Sequence, residues 1–236
     1  MKRAVLDIGN TRIKAAIFND EAEIEMLQYF SQIEPAILWL KEQSVDTLMS
    51  ASVAQAILPA IQGIDTYSLT YESKLPFDNQ YSSKATMGVD RIAALAAAAI
   101  DFPGKPVLIF DIGTCMTIDF LYPDGTYKGG NISPGIDMRL KAMHQMTKRL
   151  PLASREDALH LLGDSTLSAI GSGVMSGMQF EIDGYIQHFA GQYPELVVVL
   201  CGGDFSHFDK PHKIKIFAAP GFVLKGLYYL LKLNEN

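Results

Sequence analysis

The sequence is short of several things, and each shortage closes off a class of protein. Only two cysteines, Cys115 and Cys201, occur in 236 residues. They are too few for a disulfide framework, and neither belongs to a C-x-x-C or His/Cys cluster that would suggest zinc. Two reduced thiols in a reducing compartment are expected instead. Long apolar runs are also missing. The longest, Ile92 to Ile100, falls far short of the ~20 residues that cross a bilayer. The first apolar run breaks at Asp7, too early for a signal-peptide core. Excess positive charge is absent: 20 Lys and Arg against 26 Asp and Glu leave a net −6. That balance argues against nucleic acid or an anionic membrane as the main partner. Two nucleotide signatures are missing as well. There is no G-x-x-x-x-G-K-[ST], and no G-x-G-x-x-G opens a helix, so a P-loop and a dinucleotide site are disfavoured. A soluble, cytoplasmic protein is the expectation.

What is present is ordinary globular material, 48% hydrophobic and 19% charged. A chain of this length buries roughly 70% of its unfolded surface and needs no covalent or metal staple. Length against the ~150-residue domain prior suggests one large or two small domains.

The order of elements is legible from runs and breakers. Ala4 to Leu6 is a short apolar strand, followed by Asp7-Ile8-Gly9-Asn10-Thr11 as a turn and a second strand to Phe18. Ile24 to Phe30 reads as a third strand. Ser31 is placed to cap a helix containing Ala36, Ile37, Leu38 and Leu40, with Glu34 three residues on and Pro35 in its first turn. Leu48 to Val53 reads as a strand, Ala54 to Ile61 as a short helix, and Ser68 to Pro76 as strand and loop. An alanine-rich helix is expected from about Gly88 to Ile100, its small side chains serving as a packing face.

The opening pattern then returns. An apolar strand, Pro106 to Phe110, leads into Asp111-Ile112-Gly113-Thr114 and another strand, Met116 to Leu121. Asp, Ile and Gly recur 104 residues apart, at 7/111, 8/112 and 9/113. With the matching flanks, this reads as an internal duplication. The expected halves are 1–104 and 105–236. Pro123-Asp124-Gly125 makes a hairpin turn. The stretch Gly129-Gly130-Asn131-Ile132-Ser133-Pro134-Gly135 then leads to a helix through Met138, Leu140, Met143 and Met146, its methionines read as core or interface. A long helix starts at Ser165-Thr166, a strand spans Leu196 to Leu200, another Ile214 to Phe217, and a last helix carries Val223, Leu224, Leu227, Leu230 and Leu231.

Three loops share one design: 7–11, 111–114 and Gly202-Gly203-Asp204 each follow a buried strand and join glycine to an acid or hydroxyl. Glycine lets a bulky anion approach, and backbone N–H groups in such turns can hold phosphate oxygens. A carboxylate repels phosphate but can hold a hydrated Mg²⁺ that bridges to it. Lys14 can neutralise phosphate charge if its strand aims it back at the loop. The histidines His144, His160, His188, His207 and His212 lack ligand spacing and read as surface or packing residues. Lys141, Lys148 and Arg149 read as a solvated basic face.

The ordered set is informative where each member is weak. Asp7-Ile8-Gly9-Asn10-Thr11 with Lys14, Gly88-Val89-Asp90-Arg91, Asp111-Ile112-Gly113-Thr114, Gly129-Gly130 before Ser133-Pro134-Gly135, Ser165-Thr166 before Ala169-Ile170 and Ser172-Gly173, and Gly202-Gly203-Asp204 occur in this order. Together they resemble the type III pantothenate kinases, from residue 4 to about residue 230. That family lies in the superfamily of actin, sugar and acetate kinases and heat-shock ATPases.

The resemblance implies an α/β fold of two duplicated ribonuclease-H-like (actin-like ATPase) domains, mixed sheets flanked by helices with a cleft between them. It implies ATP-dependent phosphorylation of pantothenate, the first step of coenzyme A synthesis, by a homodimer. Residues Asp7, Ile8, Gly9, Asn10, Thr11, Arg12, Ile13 and Lys14 would form the first phosphate loop, and Thr114 a second ATP contact. Asp90 would be the catalytic base, flanked by Gly88, Val89 and Arg91 in the pantothenate pocket with Tyr81 and Thr166. Asp111 would hold a monovalent cation, K⁺ or NH₄⁺, and ATP would come with Mg²⁺. The family commonly has a proline between the tyrosine and the Gly-x-Asp-Arg element, and this chain has none.

The chemistry agrees with these residue types. In-line attack by a primary alcohol needs positioning and charge neutralisation more than covalent help. A carboxylate orients the hydroxyl and takes its proton. Arginine offers a fork for the substrate's carboxylate, and Arg91 is the candidate. Without the resemblance, Asp90-Arg91 reads as a helix-dipole aspartate beside a surface arginine. Two other functions remain open: a non-catalytic transcriptional regulator of the same fold, and another small-molecule kinase or phosphatase of the superfamily.

Overall fold

A computed structural model describes residues 1–9, 12–52, 58–158, 160–208 and 215–235. By internal contact these residues divide into two compact units. One comprises 1–104 with 121–129 and 221–236, the other 105–120 with 130–220.

The first unit is built on five strands: β1 (Arg3–Ile8), β2 (Ile13–Phe18), β3 (Ile24–Phe30), β4 (Thr47–Ser52) and β5 (Asp65–Ser68), in the order β3-β2-β1-β4-β5. The first three form an antiparallel meander, while β4 and β5 add in parallel. Strands β1 and β4 are almost wholly buried, β4 with Thr47, Ser50 and Ser52 among its apolar residues. Helix α1 (Ile33–Glu42) lies between β3 and β4 in the chain and sends Ala36 and Leu40 into the core with Leu6, Ala15 and Ile17. Ser31 does not cap it. Gln32 holds the N-cap in extended geometry without a side-chain bond. The first half of the expected helix at 54–61, residues 54–57, lies outside the described residues. Its described end, 58–60, is not helical, and Ile61 makes an isolated bridge to Ile64.

Helix α2 (Val89–Asp101) buries every residue from Arg91 to Ala98. Its partner is α5 (Phe222–Asn234), the last helix of the chain. The two backbones come so close that a Cβ on Gly226 would strike the carbonyl oxygen of Ala93. The alanine run is therefore a packing face, and small side chains are what permit the approach. Lys225 and Tyr229 of α5 both donate to Asp101 at the end of α2, at 2.8 and 2.7 Å. Tyr228 stacks on Phe18 with ring centroids 4.7 Å apart.

The second sheet runs β11-β10-β7-β8-β9-β6, from β6 (Asp78–Asn79), β7 (Val107–Ile112), β8 (Cys115–Leu121), β9 (Thr126–Pro134), β10 (Val197–Cys201) and β11 (Ile216–Ala218). β10 pairs in parallel with both β7 and β11. The Gly129-Gly130 pair lies inside β9. Helix α3 (Ile136–Met146) exposes Met138 and Met146, so those two methionines are not core. Helix α4 (Thr166–Ala190) begins with Ser165 as N-cap, its hydroxyl accepting from the Ser168 N–H. Of the strand expected from Ile214 to Phe217, residue 214 lies outside the described residues, and the described strand is Ile216–Ala218. Among the described residues, no helix is long and apolar enough to cross a membrane.

Candidate active site

The first acidic turn joins β1 to β2. Register places Asp7 opposite Lys14, and the Lys14 ammonium sits 3.2 Å from Asp7 Oδ2. The second strand thus does aim the lysine back at the acid. The Gly9 N–H donates to Arg12 O at 3.2 Å and closes the turn. Arg12 is exposed, with its guanidinium 5.7 Å from the Tyr29 ring centroid. Ile8 is half-buried and Ile13 buried. Asn10 and Thr11 lie outside the described residues.

The Gly88-Val89-Asp90-Arg91 element forms the start of α2. Gly88 is the N-cap and Asp90 stands in the first turn, where the helix dipole favours a negative charge. Asp90 is half-buried, and its Oδ1 accepts the Arg91 N–H at 2.9 Å. Gly88 matters because of space: a Cβ there would run into Asp90 Oδ1.

Arg91 is not the surface arginine that the Asp90-Arg91 pair suggests without the resemblance. It is only 4% exposed and donates from Nη2 to Tyr127 Oη at 2.6 Å. Its guanidinium lies 5.5 Å from the Tyr81 ring centroid. Tyr81 is half-buried, and the strand pair β6/β9 holds it: its N–H donates to Asn79 Oδ1 at 3.0 Å. Tyr81, Gly88, Val89, Asp90 and Arg91 are thus gathered within the first unit. Tyr127 and Asn79 join them and were not singled out by the sequence. The only hint was a tyrosine placed just before the Gly129-Gly130 pair.

In the second unit the acidic turn of β7/β8 is gripped by two glycines. Gly202, at φ +93°, passes so close that a Cβ would lie 2.5 Å from Asp111 Oδ1 and would strike Ile112 O. Gly135 approaches the other side, donating its N–H to Thr114 O at 3.1 Å. The Asp204 N–H donates to Ile112 O at 2.9 Å. The third loop therefore packs its backbone against the second. Asp111 is half-buried and Thr114 exposed.

Arg155, which no motif marked, bridges this loop to α3. It donates to Asp204 Oδ1 and to Asp137 Oδ1, both at 2.7 Å. Those bonds, Asp204 first, hold the guanidinium protonated above its already high range. Thr166 is exposed at the first residue of α4. His144, His160, His188 and His207 are all exposed, and His212 lies outside the described residues. Lys141, Lys148 and Arg149 are exposed too. Among the described residues, no group of three or more His, Cys, Asp or Glu side chains could hold a metal ion.

Known proteins match this chain along nearly its whole length. Two solved structures superpose over almost every residue: a conserved putative Baf family transcriptional activator from Campylobacter jejuni and a putative N-acetylmannosamine kinase from Listeria monocytogenes. The first gives a TM-score of 0.67 at 20% identity, covering 99% of each chain. The second gives 0.57 at 14% identity, covering 100% of each. At such identities the likeness speaks for the fold, that of the actin-like ATPases and sugar kinases. Sequence goes further. The chain is 39% identical over 249 residues to the type III pantothenate kinase of Bacteroides fragilis, and 40% over 242 residues to that of Phocaeicola vulgatus. Each alignment covers 98% of both partners. A family model described as type III pantothenate kinase matches residues 4–188. This chain belongs to the type III pantothenate kinases.

Proposed function

We propose that the protein transfers the γ-phosphoryl group of ATP to the primary alcohol of pantothenate, giving 4'-phosphopantothenate at the start of coenzyme A synthesis. One observation carries the mechanism. The Asp90 carboxylate stands half-buried in the first turn of α2, in space that Gly88 leaves open, next to Arg91, whose guanidinium lies over the Tyr81 ring. A carboxylate at a helix N-terminus is favoured as the anion. It is therefore ready to accept the proton of an alcohol as that alcohol attacks. The balance is simple: the alcohol oxygen bonds to the γ-phosphorus, the bond to the β-bridging oxygen breaks, and the proton passes to Asp90 Oδ.

The remaining roles follow position by position. Gly88, Val89, Arg91, Tyr81 and Thr166 are the proposed pantothenate contacts. Residues 7–14 hold ATP phosphates, with Lys14 offering positive charge and Asp7 a hydrated Mg²⁺. Thr114 contacts ATP. Asp111 holds a monovalent cation, K⁺ or NH₄⁺. The half-buried Asp111 carboxylate offers the oxygen donors that such an ion takes. The cation supplies fixed positive charge near the phosphates. The division at residues 104 and 105 is proposed as an ancient duplication. The protein works in the cytoplasm as a homodimer. Supporting the dimer, Leu161, Leu162 and Phe180 of the second unit are 64%, 84% and 62% exposed. Such side chains together commonly mark an interface.

The test is product formation. Purified protein with ATP, Mg²⁺ and K⁺ is expected to convert pantothenate to phosphopantothenate, detected by mass spectrometry, and to leave acetate and sugars untouched. No phosphopantothenate under these conditions would defeat the assignment.

A further inference from the structure

The start of α2 is fastened by a side chain that carries no chemistry of its own. Tyr127, on β9, is completely buried, and its phenol oxygen accepts from Arg91 Nη2 at 2.6 Å. Arg91 in turn lies under the Tyr81 ring, 5.5 Å from its centroid. The Tyr81 and Tyr127 rings are 6.0 Å apart and tilted by 33°. Phe77 meets Tyr127 edge-on at 6.3 Å. The backbone completes the frame: Asn79 pairs with Tyr127 in the β6/β9 register, and the Gln80 N–H donates to Tyr127 O at 2.8 Å. Everything named here belongs to the first unit.

A phenylalanine would fill the same space and keep both ring contacts. What the hydroxyl adds is an acceptor for one nitrogen of a buried guanidinium. The bond restrains where that guanidinium sits, and its central carbon lies over the Tyr81 ring. The residue before Arg91 is Asp90, so the same bond also bears on the base-carrying turn. We propose that Tyr127 is a positioning residue for pantothenate recognition, acting through Arg91 on the orientation of Tyr81. The proposal rests on the reading that Tyr81 and Arg91 contact pantothenate.

The test is Tyr127→Phe, with Phe77→Leu as a packing control. Kinetics are read well below each variant's melting midpoint, so that both proteins are folded. Tyr127→Phe is expected to raise KM for pantothenate about tenfold, leaving KM for ATP and kcat within about twofold. Phe77→Leu removes ring packing but not the hydroxyl, and should lower Tm while leaving KM for pantothenate unchanged. An unchanged pantothenate KM in Tyr127→Phe, or an equal rise in both KM values, overturns the proposal. Failure of the wild-type protein to phosphorylate pantothenate would instead overturn the reading beneath it.

Discussion

Gly88→Ala separates geometry from stability at the proposed catalytic carboxylate. The backbone at Gly88 has φ −59° and ψ 132°, which alanine adopts without strain. The added methyl group meets no backbone, only the Asp90 carboxylate and, more loosely, the Arg91 stem. Relief therefore comes from turning Asp90. Restoring ordinary contact moves Oδ1 by roughly 1 Å, and misplacement on that scale costs about 10²-fold in rate. Stability should change little. Alanine is a worse N-cap than glycine by about 1 kcal/mol. Replacing glycine regains about 0.4–1 kcal/mol by restricting the unfolded chain. The expected result is kcat/KM for pantothenate reduced about a hundredfold, with Tm shifted by no more than ~3 °C. Calorimetry and a coupled ADP-release assay on one preparation supply both numbers. Wild-type turnover in a folded Gly88→Ala protein would refute the reasoning, because Asp90 would then tolerate displacement.

Other perturbations test separate parts of the account. Gly226→Ala forces α2 and α5 apart at Ala93 and should cost at least ~1–3 kcal/mol by urea titration, with activity per folded molecule unchanged. Arg155→Gln releases Asp204, and the expected effect is a raised KM for ATP with KM for pantothenate unaltered. Burial pulls the Lys225 ammonium down, but the hydrogen bonds to Asp101 and Tyr229 outweigh it and raise its pKa above the usual lysine value. Tyr229 is raised as well, by burial and then by Asp101. Both groups hold their protons more tightly when folded. Their contribution is thus complete below about pH 10 and fades as pH rises through the folded values. Wild-type protein should therefore lose more urea stability than Asp101→Asn between pH 9 and about pH 11.

Local signals made some of this structure legible, and distance hid the rest. Apolar runs broken by Asp-x-Gly marked β1, β2, β7 and β8, because a buried strand must end where polar and glycine residues begin. The alanine run marked α2. Its partner could not be read, because α5 lies more than a hundred residues on and Asp101 meets Lys225 only in the folded chain. Ser31 looked like a cap, yet Gln32 takes the position by backbone geometry alone. The Gly129-Gly130 pair gave no strand signal, yet it lies within β9. Motif order grouped Tyr81, Gly88, Asp90 and Arg91, and in the fold the Arg91 guanidinium lies over the Tyr81 ring. It gave no sign that Arg91 is buried, since its phenol partner stands 36 residues away. Arg155 escaped for the same reason, reaching Asp204 across 49 residues.

The central claim is that the carboxylate of residue 90 takes the proton of the attacking alcohol. Asp90→Asn keeps the shape and the hydrogen-bonding oxygen but removes the basicity. The decisive measurement is the single-turnover rate of phosphopantothenate formation by Asp90→Asn beside the wild-type protein, with pantothenate binding measured on the same samples. The account predicts binding within a few-fold of wild type and a rate lowered by about 10²–10⁴. A rate within tenfold of wild type, at equal binding, would contradict it.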